Sequence, residues 1–149
     1  AEGLGCPRSE AVKGGESDGV FASQKFEKGW MFWREDKGGI VYVFYDDGRW
    51  ELFPDRYQQG QDDSIGCDPP NGSEKPVCGF AMVWRDNLGG CREAVAAIGW
   101  GEEEEGNIGA VVQEFERGIV LMLDPEGSSE LYLLRFPPGS DATSGTWTR

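Results

Sequence analysis

Carboxylates are the only abundant side chains in this sequence that could carry out acid–base chemistry. The 149 residues include 27 Asp and Glu and no histidine. Catalytic systems that pair a Ser or Cys nucleophile with His are therefore excluded, as is every metal site that needs imidazole. A carboxylate pair of the glycosidase kind remains, but so many acids allow such pairs to be drawn almost anywhere. The sequence predicts a protein that is not an enzyme.

Two acidic segments supply oxygen ligands of the kind that hard cations prefer. They contain Asp62, Asp63 and Asp68 in a loop rich in Pro, and the run Glu102, Glu103, Glu104 and Glu105. Extracellular calcium binds weakly where several such oxygens converge. The spacing of an EF-hand is absent, and most acidic loops are simply solvated. We therefore expect no cofactor, with a weakly bound calcium ion as the alternative.

The four cysteines favour disulfides over a zinc site. They are Cys6, Cys67, Cys78 and Cys91. No CxxC spacing occurs, so two disulfides are more plausible than tetrahedral zinc. A hairpin that turns at residues 86–90 would place Cys91 opposite Trp84, which argues against a Cys78–Cys91 pair. Among three connectivities we expect Cys67–Cys78, closing the Pro-rich loop, together with Cys6–Cys91.

Charge and cysteine usage bound the compartment and the partners. The formal net charge of −13 and the pI near 4.3 oppose binding to nucleic acid or to an anionic membrane. No apolar stretch is long enough to span a bilayer. Disulfides require an oxidising compartment, and the sequence begins at Ala1 rather than at Met. We expect a mature secreted protein at the cell surface whose signal peptide has been removed.

An aromatic stretch at residues 29–53 is the strongest structural signal. Three apolar runs are separated by a polar break and an Asp-Asp-Gly turn, a pattern that predicts a three-stranded meander. Strand alternation sends Trp30 and Phe32 to one face and Met31 and Trp33 to the other. A strand with two apolar faces is buried between layers, meets a protein partner, or offers rings on which sugars stack.

Five aromatic residues are candidates for contact with a glycan or with another subunit. They are Trp30, Trp33, Tyr45, Trp50 and Trp147. Trp147 lies between Thr146 and Thr148 in a strand-like alternation. This segment is expected to dock into its own fold or onto the sheet edge of another subunit.

Three short words share one pattern of an aliphatic residue, a Gly, and a bulky or sulfur-bearing residue. The words are Leu4-Gly5-Cys6, Ile65-Gly66-Cys67 and Ile98-Gly99-Trp100. We interpret them as openings of three degenerate repeats at about 4–60, 65–97 and 98–136, followed by a tail at 137–149. Each repeat is expected to contain an apolar hairpin, the middle one starting with a strand over residues 79–85. Residues 92–98 are the one good candidate for a helix, although the parallel with the first repeat would make them a strand.

A second motif accompanies the first and third words. Gln-x-Phe-Glu-basic-Gly occurs at residues 24–29 and again at residues 113–118. Phe26 and Phe115 are expected in the core, while Glu27 and Glu116 are expected to accept hydrogen bonds from nearby backbone amides. The predicted fold is a single all-β domain over residues 1–149, built from short antiparallel hairpins in about three pseudo-repeats and stabilised by disulfides.

These words resemble the LGFP repeat of bacterial cell-envelope proteins. That repeat runs Leu-Gly-aromatic-Pro, a Glu, a Gly-rich loop, and then Phe, Gly and an aromatic strand. Leu4-Gly5-Cys6-Pro7 with Glu10 and the motif at 24–29 match it, and Ile98-Gly99-Trp100 with Glu103 and the motif at 113–118 look like a second copy. The resemblance implies a non-catalytic surface module that attaches proteins to cell-wall glycan.

Two functions follow from these observations. The first is a secreted structural or adhesive protein of a bacterial cell surface that self-associates into a filament or another extracellular assembly. Its basis is the two-faced aromatic strands and the lack of a catalytic set, and head-to-tail contacts would give an open polymer. The alternative is a monomeric LGFP-like module that binds cell-wall polysaccharide.

Overall fold

The computed structural model describes residues 3–124, 129–137 and 143–149 of the chain. Ten strands in these residues form one curled antiparallel sheet: β1 (Val12–Gly14), β2 (Phe21–Phe26), β3 (Gly29–Arg34), β4 (Ile40–Tyr45), β5 (Arg49–Pro54), β6 (Gly106–Asn107), β7 (Ala110–Phe115), β8 (Gly118–Leu123), β9 (Glu130–Arg135) and β10 (Ser144–Thr148). Their order across the sheet is β1-β7-β8-β9-β10-β5-β4-β3-β2-β6. The predicted all-β fold class and single compact domain are confirmed.

The sheet consists of two meanders joined by the C-terminal strand. Strands β2 to β5 pair consecutively, as do β7 to β9. Strand β10 lies between β9 and β5, with Trp147 opposite Leu134 and Gly145 opposite Trp50. Of the two expectations for the tail, the structure therefore shows docking into the chain's own fold.

Both faces of the first meander are buried, as the alternation predicts. Phe32 and Phe44 face the second meander and pack against residues such as Leu121. On the other face, Met31 and Val43 pack against a layer formed by the segment between the two meanders. Each aromatic strand thus separates two hydrophobic cores, which accounts inside one chain for side chains that are apolar on both faces.

The layer that packs against Met31 and Val43 is helical, so the predicted middle hairpin is wrong. Helix α1 (Cys78–Met82) continues into a π-helical turn (Val83–Asn87) and is followed by helix α2 (Gly90–Ala97). Phe80 and Trp84 are four residues apart, so one helical face buries both of them. Periodicity alone does not distinguish a short apolar helix from a buried strand. The helix expected at 92–98 is present, shifted by about two residues at its start.

The disulfide joins Cys67 to Cys91, which corrects both expected pairs. Their Cα atoms are 6.2 Å apart. Because residues 83–87 and 90–97 are helical rather than a hairpin, Cys91 lies in the first turn of α2, where its Sγ is 3.1 Å from the carbonyl oxygen of Ile65. Cys6 is exposed beside the second meander, and Cys78 is partly buried at the start of α1. Neither forms a disulfide in the described structure.

The first and third of these three-residue words make matching contacts. Each of them contacts the hairpin that follows the other word in sequence. The backbone carbonyls of Leu4 and Cys6 accept the N–H groups of Arg117 and Glu116 in the β7–β8 turn, at 2.8 and 3.0 Å. Those of Ile98 and Trp100 accept the N–H groups of Lys28 and Glu27 in the β2–β3 turn at the same two distances. Each word therefore contacts the Gln-x-Phe-Glu-basic-Gly motif that follows the other word, and not the motif that follows it in sequence.

A glutamate and a glycine complete each of these contacts. Glu116 Oε1 accepts the N–H of Cys6 at 2.8 Å, and Glu27 Oε1 accepts the N–H of Trp100 at 2.8 Å, as expected from the sequence. A Cβ atom on Gly5 or Gly99 would lie 2.6 Å from the corresponding carboxylate oxygen. Ile65-Gly66-Cys67 shares the positive φ of its glycine but leads into the disulfide instead. The interpretation of these matches as repeats stays a prediction.

Candidate functional site

A cleft of about 450 Å³ opens where strands β2, β3, β9 and β10 approach one another. Its lining combines three aromatic rings with charged and polar side chains. The aromatic residues are Trp30, Tyr132 and Trp147, and the polar ones include Gln24, Lys25, Asp46, Glu103, Glu130 and Arg149. Apolar walls with a few polar groups are the usual composition of a small-ligand site.

The three rings form one cluster. The ring centroid of Trp30 lies 4.9 Å from that of Tyr132 and 6.4 Å from that of Trp147, and the latter two are 5.8 Å apart. Phe44 supports Trp30 from below in a parallel stack at 3.9 Å. Trp147 is held in place because its Nε1–H donates to the carbonyl oxygen of Tyr45 at 2.9 Å. The aromatic wall is thus fixed before any ligand arrives.

A hydrogen-bonded network forms the polar rim beside this wall. The hydroxyl of Tyr132 donates to Glu130 Oε2 at 2.6 Å, and Arg149 forms an ion pair with the same carboxylate. The guanidinium of Arg149 also lies over the Tyr132 ring, 5.5 Å from its centroid. Burial, followed by the hydrogen bond to Glu130, raises the pKa of Tyr132, so this phenol is a neutral donor at neutral pH. The rim therefore presents both hydrogen-bond donors and acceptors.

Gln24 lies fully buried in the wall of the cleft. Its Nε2 donates to the carbonyl oxygen of Glu103 at 2.8 Å, and this bond ties β2 to the acidic segment. Its Oε1 is buried and has no hydrogen-bond partner in the described part of the chain. Leaving a buried acceptor unpaired costs about 1–3 kcal/mol, so a position of this kind often belongs to a site.

The structure brings together only two of the five aromatic residues that the sequence singled out. Trp30 and Trp147 line the cleft, whereas Trp33 lines a separate cavity. Tyr45 is buried, with its hydroxyl donating to Glu51 at 2.6 Å. Trp50 is completely buried, with its Nε1–H donating to the carbonyl of Arg135 at 3.2 Å. Neither Tyr45 nor Trp50 is placed to touch a glycan or another subunit.

Sequence reasoning missed Tyr132, Glu130 and Arg149. Alternation along β9 places Tyr132 on the same face as Leu134, and this signal could have identified it as inward-facing. Nothing local to Arg149 points to a site, because its role depends on the pairing of β10 with both β5 and β9.

The acids proposed as calcium ligands are dispersed. Asp62 accepts the N–H of Ser64, and Asp63 accepts the N–H of Cys78 at 2.7 Å. Asp68 and Glu102 are exposed at the surface. Within the described residues, no three Cys, Asp or Glu side chains converge in a way that could hold a metal ion. Weak calcium binding stays a prediction.

Comparisons of this chain with models of protein families, with curated proteins and with solved structures found no match. The resemblance to the LGFP repeat thus rests on the residues quoted for it. None of the described helices has the length and apolar character that a membrane crossing requires. The disulfide is compatible with an extracellular location.

Proposed function

We propose that this protein is a secreted, non-enzymatic module of a cell surface that binds polysaccharide in the cleft between its two meanders. The observation that carries the proposal is the fixed cluster of Trp30, Tyr132 and Trp147 beside a rim of donors and acceptors. Sugar rings carry apolar C–H faces that pack on aromatic rings, and their hydroxyls need polar partners at the edge.

Binding without hydrolysis is the simpler interpretation of the charged rim. Glu130 is engaged by both Tyr132 and Arg149, which fixes it as part of the polar rim. Asp46 and Glu103 also line the cleft, and hydrolysis would require two of these carboxyls at a defined distance across the bound sugar, with one member of the pair held protonated. Absence of turnover on a panel of glycosides is the expected result, and release of reducing sugar by the purified protein would contradict it.

Self-association is the second function that the sequence suggested. Its main support was the pair of apolar faces on the aromatic strands, and both faces are now accounted for by the chain's own cores. The C-terminal strand is likewise taken up by its own sheet. Binding as a monomer therefore fits the geometry better than polymerisation does.

The test measures binding to isolated cell walls and to soluble wall fragments, with sedimentation velocity on the same sample. We expect a monomer that sediments with the walls and is competed off by the fragments. The cleft variant Arg149→Ala should weaken binding about tenfold, because it removes a donor and loosens Tyr132. Arg92→Ala, which removes the same charge from an exposed position of α2, is the control.

Two results would overturn the proposal. One is equal wall binding by Arg149→Ala, Trp147→Leu and the unmodified protein, because a site in this cleft must respond to at least one of them. The other is a large sedimentation coefficient with no affinity for walls, which would favour the self-associating assembly instead.

A further inference from the structure

A second cavity, of about 280 Å³, lies apart from the proposed glycan cleft and shares none of its lining residues. It is open to solvent on one side and is bordered by the end of β3, the segment after β5, the start of α1 and the end of the acidic run. Three aromatic residues and two acids dominate its wall: Trp33, Tyr57, Phe80, Asp55 and Glu105.

Negative charge in this cavity has no basic partner. No Lys or Arg is among the described residues that line it. Glu105 is half-buried, and its burial and the charge of Asp55 raise its pKa. The third acidic group, the Cys78 thiol, is kept neutral because its burial raises its pKa. Two carboxyl groups that repel each other in a partly dry site favour a cation between them.

Asp55 is fixed in position by the backbone around it. Its Oδ1 accepts the N–H of Tyr57 at 3.0 Å, and its own N–H donates to the carbonyl of Gly39 at 3.0 Å. A Cβ on Gly79 would lie 2.5 Å from Oδ1, so the carboxylate rests directly against the first turn of α1. The charge is therefore held at one place rather than spread over a mobile side chain.

The aromatic walls decide which kind of cation fits. Faces of Trp, Tyr and Phe rings attract organic ammonium groups within about 6 Å and desolvate them more easily than they desolvate small metal ions. The absence of three converging ligands among the described residues also disfavours a metal here. The Nε1–H of Trp33 is buried without a hydrogen-bond partner in the described chain, so it can donate to a hydroxyl oxygen carried by the same ligand.

We propose that this cavity binds a small organic primary ammonium ion, such as an amino sugar with a free amine. Asp55 and Glu105 accept its N–H groups, and Trp33, Tyr57 and Phe80 enclose its apolar side. The positive charge of the ligand offsets the repulsion between the two carboxyl groups. Recognition depends on the positive charge, so acetylation of the same amine abolishes it.

The test is a calorimetric or NMR titration with D-glucosamine and with N-acetyl-D-glucosamine, which differ in the charged group. Methylammonium and potassium chlorides at equal ionic strength separate an organic ammonium from any monovalent cation. We expect saturable binding of glucosamine and methylammonium, with shifts at the indole of Trp33, and none with the other two. Equal response to potassium, or no response to glucosamine, would overturn the proposal.

Variants locate the site and keep it distinct from the glycan cleft. Asp55→Asn and Glu105→Gln should each weaken glucosamine binding about tenfold or more. Glu104→Gln removes the same charge from the exposed neighbour and should leave binding unchanged, as should Arg149→Ala in the cleft. Thermal melting of every variant shows that it is folded. Equal losses for Glu104→Gln and Glu105→Gln would reduce the effect to overall acidity and overturn the assignment.

Discussion

The carboxylate of Glu27 accepts the backbone N–H of Trp100 at 2.8 Å across 73 residues of sequence. This bond clamps the segment that leaves α2 onto the β2–β3 turn. Glu116 makes the same contact with Cys6 on the second meander, at a more exposed position. The two glutamates therefore close the fold at matching points, and their contributions to stability should differ with their exposure.

Glu27→Ala should lower the free energy of unfolding by about 1–3 kcal/mol, because it leaves the N–H of Trp100 without its charged acceptor. Glu116→Ala should cost less, since water replaces the lost acceptor at the surface. Urea denaturation measures both. Glu102→Ala, at an exposed position nearby, is the control, with a change expected within about 0.5 kcal/mol. Equal effects at Glu27 and Glu102 would show that the clamp does not contribute to stability.

Gly145→Ala should undo the docking of β10. An added Cβ would lie 1.9 Å from the carbonyl oxygen of Arg135, a backbone atom that cannot move without breaking the sheet. We expect a loss of more than about 1 kcal/mol and faster proteolysis at the C-terminus. The matched control is Gly106→Ala in β6, where nothing lies within 4 Å of the added atom. A normal melting temperature for Gly145→Ala would contradict the position of β10.

Peptide mapping without reduction should find one disulfide, between Cys67 and Cys91. Cys6 should react with an alkylating reagent faster than Cys78, because Cys6 is exposed and burial raises the pKa of the Cys78 thiol. Replacing both Cys67 and Cys91 by Ser should cost about 3 kcal/mol, from the loop of 24 residues that the bond closes. Cys6→Ser is the control. Recovery of a Cys67–Cys78 peptide would refute the pairing.

Glu105→Gln should make the protein more stable at neutral pH while weakening ammonium binding. The pKa of Glu105 is raised in the folded state, so folding favours its proton, and stability falls as pH rises above the unfolded value of about 4.5. The variant does not ionise and escapes this loss. Melting curves should therefore show an advantage at pH 7 that disappears near pH 3. An equal advantage at both pH values would contradict a titrating Glu105.

Local patterning was enough to predict the first meander and its burial on both faces. In a strand, neighbouring side chains point in opposite directions whatever the rest of the chain does, so Trp30–Trp33 had to supply two apolar faces. The Asp-Gly turn and the hydrogen-bonding roles of Glu27 and Glu116 were also legible in the sequence. Arg34 was not, since its position in a polar break gave no sign that it would be fully buried against Tyr42.

Contacts between distant segments decided the rest. Residues 78–87 form a helical layer that packs on the outer face of the first meander. This arrangement places Cys91 beside Cys67. Trp30, Tyr132 and Trp147 form a cleft only because β10 pairs with one strand of each meander. The sequence by itself determined which segments are apolar and where strands alternate, since these are properties of a few consecutive residues. Which segments meet was decided by the tertiary structure, because the burial that stabilises a pairing comes from residues far apart in the chain.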